Sequence, residues 1–130
     1  MKKSLIAIAV IFVVGAVLDF LIHGMLLKDM YMATAQLWRP MAEMKMGLGH
    51  VVSLVSISAF VAIYTLFFKE KSLENGMKYG ALVGVMAGAS MGAGTYTYMP
   101  IPATLACAWT VATLIHMTIA GTILGWVTKK

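Results

Sequence analysis

The sequence is poor in the residues on which soluble enzymes and secreted proteins depend. Only 12% of its 130 residues are charged, and it holds three prolines and a single cysteine, Cys107. A soluble domain usually carries about twice that share of charge, and a lone cysteine excludes both an intramolecular disulfide and a redox cysteine pair. There is also no phosphate-cradling loop and no nucleophile beside a paired base. We therefore expect a protein that is not an enzyme.

Apolar residues make up 61% of the chain and gather into four long runs that end in basic or polar segments. A run of about 20 apolar residues is long enough to cross a bilayer as a helix. The sequence therefore predicts an all-α fold, a single integral membrane domain over residues 1–130 with four transmembrane helices in a bundle. The expected helices lie at about 4–27, 41–68, 76–98 and 103–127.

The positions of the basic residues predict the orientation. With four crossings, seven of the ten lysines and arginines fall on the side of the chain termini and three on the other side. The positive-inside rule then places both termini in the cytoplasm, with the chain in a bacterial inner membrane. Because the lysines flank apolar runs, they predict a lipid bilayer as partner and no nucleic acid.

A short polar segment separates the first two apolar runs. Tyr31, Thr34 and Trp38 follow one another at helical spacing and stand just before Pro40. Aromatic side chains on one face of a short amphipathic turn suit the headgroup layer, so we expect a short periplasmic interfacial helix here. The same turn is also a candidate docking surface for a partner protein.

Glycines recur every fourth residue along the third apolar run, at Gly76, Gly80, Gly84, Gly88 and Gly92. Each would cost about 1 kcal/mol relative to alanine in a water-exposed helix. In lipid, a face without side chains instead lets two helix backbones approach closely. The pattern predicts a glycine zipper that packs against another helix, within the chain or across an oligomer interface.

Ionisable residues inside apolar runs are costly in lipid and mark candidate functional sites. Asp19 and His23 share a face of the first helix, and His50 enters the second helix from the same side of the membrane. We expect these groups to converge on a metal ion (copper, iron or zinc), or the two histidines to ligate a haem. In the alternative, the histidines bond to water or backbone and Asp19 pairs with a basic group such as Arg39.

Two further residues extend this candidate site. Glu43 and Met46 follow the same face as His50 if the second helix begins near residue 41. Six of the twelve methionines lie between Met25 and Met46, and thioethers are soft ligands that select Cu(I). Methionine is also a flexible filler of apolar gaps, which is the competing interpretation.

His116 is expected to stand apart from these groups. Counted along its helix, it lies about 20 Å from the periplasmic end, too deep to meet His23 and His50. Met86 lies at nearly the same depth, so a haem with His116 and Met86 as axial ligands is a second hypothesis. Alternatively, His116 bonds to a hydroxyl such as that of Thr110 or Thr113.

Two short segments, Leu21-Ile22-His23-Gly24 and Gly121-Thr122-Ile123-Leu124-Gly125-Trp126, resemble those of small uncharacterised bacterial proteins with four membrane helices. The resemblance implies the four-helix membrane fold and leaves the activity open. Two functions remain. The first is a non-catalytic binding or assembly module, a homo-oligomer or a small subunit of a larger membrane complex, with a haem or metal site. The alternative is a small proton- or cation-coupled transporter that uses Asp19.

Overall fold

The computed structural model describes residues 1–129, which form helices joined by turns and contain no strand. We number the α-helices in chain order. They are α1 (Lys2–Asp19), α2 (Lys28–Ala33), α3 (Met46–Phe67), α4 (Leu73–Ala89) and α5 (Ala103–Thr128). α1 continues as a π-helix over Phe20–Leu26, and α4 continues as a π-helix over Ser90–Gly94. Short 3-10 turns occupy Ala35–Leu37 and Met41–Glu43.

Three helices are long and apolar enough to cross a membrane: Lys2–Leu26, Met46–Phe67 and Ala103–Thr128. The mean hydropathies of an 18-residue window in each are 3.0, 2.0 and 1.5, and the first is highest because it has fewer serines and threonines among its apolar residues than the other two. The all-helical class is thus confirmed, and the length and composition of these three helices indicate a membrane protein. α4 is not among the three, because its glycines and the polar residues Glu74, Asn75 and Lys78 lower its mean hydropathy.

The predicted glycine face of α4 lies against α5, and this is the most extensive helix pairing in the chain. A Cβ added to Gly84 would lie 2.9 Å from Leu114 Cα, and one added to Gly88 would lie 2.7 Å from the Thr110 carbonyl oxygen. The contact is also close from the side of α5, because a Cβ added to Gly121 would lie 2.6 Å from Gly80 Cα. The two backbones therefore touch without intervening side chains, as the period-four spacing predicts for a partner helix within the chain.

Lys3, Lys129 and the α3–α4 turn lie together at one end of the molecule, which we call the terminal end. The Lys3 Nζ donates to the Lys129 carbonyl at 2.7 Å, and the Tyr64 hydroxyl donates to the Ser72 carbonyl at 3.0 Å. An apolar core above this end joins four helices. Its buried members include Ala7 and Ile11 of α1, Phe60 and Tyr64 of α3, Tyr79 of α4 and Leu124 of α5.

A smaller apolar cluster lies at the opposite end, which we call the α2 end. Its buried members are Leu27, Ile101, Leu105 and Ala106, and Trp38 and Trp109 pack against them. The Leu27 N–H donates to the Ile22 carbonyl at 2.8 Å, which closes the π-helical end of α1. This closure turns the chain so that α2 lies over the start of α5.

The second membrane-length helix begins later than predicted. The Glu43 N–H donates to the Pro40 carbonyl at 2.8 Å, so the chain closes into a 3-10 turn after the proline. Met44 is then extended, with ψ 129°, and α3 starts only at Met46. The prediction that Glu43, Met46 and His50 share one helix face is therefore wrong, because Glu43 lies outside the helix.

Candidate functional site

Asp19 and His116 face each other between α1 and α5. The His116 Nδ1 lies 3.5 Å from the Asp19 Oδ1, and the exposed fractions of the two side chains are 24% and 54%. Gly15, one turn earlier on α1, makes room for the imidazole, since a Cβ there would lie 3.0 Å from the His116 Nε2. A carboxylate and an imidazole thus meet within two helices that are long enough to span a membrane.

The sequence interpretation places His116 too deep to meet His23 and His50, and the residue that His116 meets in the structure is Asp19, a pairing that this interpretation did not include. α1 and α5 are antiparallel, and side chains lean toward the N-terminus of their own helix. Asp19 therefore leans toward the terminal end while His116 leans toward the α2 end. Counted from Cα positions along each helix, Asp19 and His116 are too far apart to interact. The lean of the two side chains toward each other closes this distance.

A small cavity of about 70 Å³ lies beside His116. It is formed where α1, α3 and α5 meet, and its lining residues are Ile11, Ser56, Ile57, Phe60, His116, Met117 and Ala120. His116 and Ser56 are the polar side chains of this lining. Ile11 precedes Gly15 by one turn on the same face of α1, so the Nε2 of His116 lies on the cavity side of the ring.

His23 lies in the π-helical end of α1 and bonds to α2. Its Nδ1 is 2.6 Å from the Tyr31 hydroxyl, and the Trp109 Nε1 donates to that hydroxyl at 2.7 Å. An indole N–H can only donate, so the phenol oxygen accepts from Trp109 and its hydrogen is left for the His23 Nδ1. A neutral His23 in this arrangement carries its own proton on Nε2.

Tyr31 is the centre of an aromatic cluster at the α2 end. Its ring lies 5.5 Å from Trp38 and 6.5 Å from Trp109, and the Trp38 Nε1 donates to the Thr34 hydroxyl at 2.9 Å. Burial raises the pKa of Tyr31 above its ordinary value of 10.0, although the Trp109 hydrogen bond opposes this shift. Tyr31 is therefore a protonated phenol near neutral pH and can donate to His23.

His50 does not pair with His23. Its ring lies edge-on to Phe12, with ring centroids 6.2 Å apart, and the residue is exposed. Phe12 precedes His23 by about 16 Å along α1, at 1.5 Å per residue. The convergence of Asp19, His23 and His50 at one depth is thus wrong, because His50 packs beside Phe12 in the middle of α1.

The other predicted ligands are also dispersed. Residues 1–129 contain no group of three His, Cys, Asp or Glu side chains arranged to hold a metal ion. Met46 and Met86 are 62% and 69% exposed. The hydroxyl of Thr110 donates to the Gly88 and Ala106 carbonyls at 3.2 Å and 3.0 Å, and it does not bond to His116.

The sequence interpretation overlooked Tyr31, Trp109, Ser56 and Gly15 as parts of this arrangement. A weak signal was present for two of them. Tyr31 lies in α2, and Trp109 lies within the first two turns of α5, so both are aromatic residues at the α2 end of the molecule, where aromatic side chains of neighbouring helices meet. No family model, curated protein or solved structure matches this chain.

Proposed function

We propose that this chain is a four-helix integral membrane protein that carries protons, or cations coupled to protons, by means of Asp19 and His116. The observation that supports the proposal is the 3.5 Å approach of the His116 Nδ1 to the Asp19 Oδ1 beside a cavity. Pairs and chains of carboxylates and imidazoles within transmembrane helices are typical of proton relays. A purely structural pair would be formed more cheaply in lipid by uncharged side chains.

In this proposal α4 is the fourth membrane crossing. Its α-helical and π-helical parts together run from residue 73 to residue 94, which is about 33 Å at 1.5 Å per residue and matches a hydrocarbon core of about 30 Å. The terminal end carries most of the lysines and faces the cytoplasm of a bacterial cell, and the α2 end faces the periplasm.

In this proposal the Asp19 carboxylate is the group at which a proton enters from the α2 end. The Asp19 side chain is 54% exposed, and Asp19 lies two turns or less from the α2 end of its membrane segment. It accepts a proton from that side and passes it to the His116 Nδ1. His116 is the more buried partner and lies deeper in the helix group, so the pair leads inward.

The test is proton flux in liposomes that contain the purified protein and a pH-sensitive dye. Under an imposed potential the wild-type protein is expected to acidify or alkalinise the lumen, and Asp19→Asn to remove that flux. Asp29→Asn is the matched control, because Asp29 is an exposed carboxylate on α2 outside the membrane-length helices. Wild-type vesicles with no more flux than empty ones would contradict the proposal.

A second candidate is the binding or assembly module, either a homo-oligomer or a subunit of a larger membrane complex. The observation that favours it is the 54% exposure of the Asp19 side chain on a helix whose large apolar side chains, such as Val17 and Phe20, are themselves 54% and 65% exposed. A half-exposed carboxylate on a lipid-facing surface is satisfied by water or by a partner. A partner helix, a metal ion or a haem would each satisfy it.

The two candidates are separated by gentle purification. A stable oligomer or a co-purifying subunit would support the module, as would a haem absorption band or stoichiometric metal in the same sample. A monomer without these species that still conducts protons would support the carrier alone.

A further inference from the structure

We propose that the cavity beside His116 holds the water that receives the proton from the Asp19–His116 pair, and that Phe60 separates this water from the terminal end. This inference rests on the proposed proton-carrying function and adds to it an exit site and a barrier.

The size and lining of the cavity suit water. About 10–15 Å³ of such volume holds one water molecule, so a cavity of about 70 Å³ has room for several. A water in this cavity needs polar partners, which here are the imidazole of His116 and the hydroxyl of Ser56, a residue that is also exposed at the molecular surface. The remaining lining is apolar, so the cavity offers hydrogen bonds at these two side chains and none at the walls.

The geometry of His116 gives the direction of transfer. The Nδ1 faces Asp19, while the Nε2 lies against Gly15 on the side of Ile11, which lines the cavity. The Asp19 carboxyl group gives its proton to Nδ1 and becomes a carboxylate, and the imidazole becomes an imidazolium. The imidazolium then loses the Nε2 proton to a cavity water, which becomes hydronium, and the imidazole is left neutral with its proton on Nδ1.

The charged and titratable groups around His116 come from one helix. Asp19 and His23 lie on α1, and both are close enough to influence each other and His116 electrostatically. Among the described residues that line the cavity, α3 contributes Ser56, which does not titrate in this range, and α5 contributes no second ionisable side chain. The transfer therefore involves Asp19 and His116, with His23 on the outer side of the carboxylate.

Phe60 closes the cavity toward the terminal end. It lines the cavity, is 6% exposed, and lies one turn beyond Ser56 in the direction of the terminal end. Its ring stacks on Tyr79 with centroids 4.6 Å apart and an interplanar angle of 24°. Behind this pair, the rings of Tyr64 and Phe68 lie 5.5 Å and 5.3 Å from Tyr79. Four aromatic rings thus stand between the cavity and the terminal end.

Hydrogen bonds fix this aromatic layer. The Tyr79 hydroxyl donates to the Phe60 carbonyl at 2.9 Å, which joins α4 to α3 at the level of the cavity. The Tyr64 hydroxyl donates to the Ser72 carbonyl at 3.0 Å. Apolar constrictions gate channels by excluding water, and removal of one ring from such a layer lets water through.

The test uses a single thiol in the cavity. Ala120 is 3% exposed and lines the cavity, so Ala120→Cys in a Cys107→Ser background places one cysteine there. Silver ion, which is small enough to follow water, is applied from one side of vesicles of known orientation. The vesicles are then denatured and treated with an alkylating reagent. A thiol that silver has reached is protected from alkylation, and this protection is the readout.

With Phe60 in place, silver is expected to protect the thiol only when applied from the α2 side. Phe60→Ala should remove this sidedness, so that silver protects from both sides. Phe67→Ala is the matched control, because Phe67 is an aromatic residue of the same helix that is 76% exposed. Phe60→Leu, which disturbs packing less, should give partial protection from the terminal side.

Protection from both sides with Phe60 present would overturn the barrier, and protection from neither side would overturn the water-filled cavity. Unchanged sidedness in folded Phe60→Leu and Phe60→Ala would also overturn the role of Phe60. These outcomes are independent of flux, so the cavity inference and the proposed function fail separately.

Discussion

The substitution Gly80→Ala is expected to destabilise the protein, although alanine favours helices more than glycine does. A Cβ at this position would lie 2.9 Å from Gly121 Cα and closer still to the Met117 carbonyl oxygen. Ordinary van der Waals contact for a Cβ begins at 3.4 Å. Because the obstructing atoms are backbone, α4 and α5 must separate by at least 0.5 Å (3.4 minus 2.9) at this crossing.

The magnitude follows from two opposing effects. Overpacking a close contact costs about 1–3 kcal/mol, and the separation also weakens the neighbouring contacts at Gly76 and Gly84. The higher helix propensity of alanine offsets up to about 1 kcal/mol of this loss in unfolding free energy. We expect a net loss of about 1–2 kcal/mol for Gly80→Ala, and a larger loss for Gly80→Leu.

The matched control is Gly49→Ala. Gly49 lies within α3, and an added Cβ there would meet no atom within 4 Å. It therefore gains helix propensity without a clash, and its stability should be unchanged or raised. The assay is thermal unfolding in detergent, followed by circular dichroism. If Gly80→Ala melts at or above the wild-type temperature while Gly49→Ala behaves alike, the close α4–α5 contact is refuted.

Further predictions concern the hydroxyl groups. Tyr79→Phe removes the hydrogen bond to the Phe60 carbonyl and should cost about 1 kcal/mol in unfolding free energy, whereas Tyr98→Phe, at a residue 79% exposed, should cost nothing measurable. Because the pKa of Tyr31 is raised in the folded state, its contribution to stability is fully present below pH 10.0 and is lost as the pH rises through the raised value. In a spectrophotometric titration Tyr31 should therefore contribute a phenolate that forms late, and Tyr31→Phe should reduce the late absorbance change by one phenolate. Tyr31→Phe should also shift the fluorescence of Trp109, which loses its hydrogen-bond acceptor.

Much of the fold follows from the sequence because lipid imposes simple rules. Apolar length predicts the spans, and the period of four in the glycines predicts a face without side chains that packs on a helix backbone. The end of a helix is harder to predict. Pro40 is a reasonable helix start by its fixed φ, yet the bond from the Glu43 N–H to the Pro40 carbonyl closes a 3-10 turn instead.

The candidate site is predictable in its parts and not in its pairing. Asp19, His23 and His116 stand out as ionisable residues in apolar runs. Which of them meet depends on the lean of side chains on antiparallel helices and on the level at which α3 packs beside α1. Both are tertiary features, and a count of 1.5 Å per residue along separate helices contains neither.

The most direct measurement for the central claim is a double-mutant comparison of proton flux in liposomes, with Asp19→Asn, His116→Gln and both together. Asp19→Asn keeps the shape of the side chain, His116→Gln keeps a polar side chain of similar length, and both remove the ability to exchange a proton. If the two residues act as one relay, each single variant should lose the flux and the double variant should lose no more than either. Flux that survives His116→Gln, or losses that multiply in the double variant, would contradict the account.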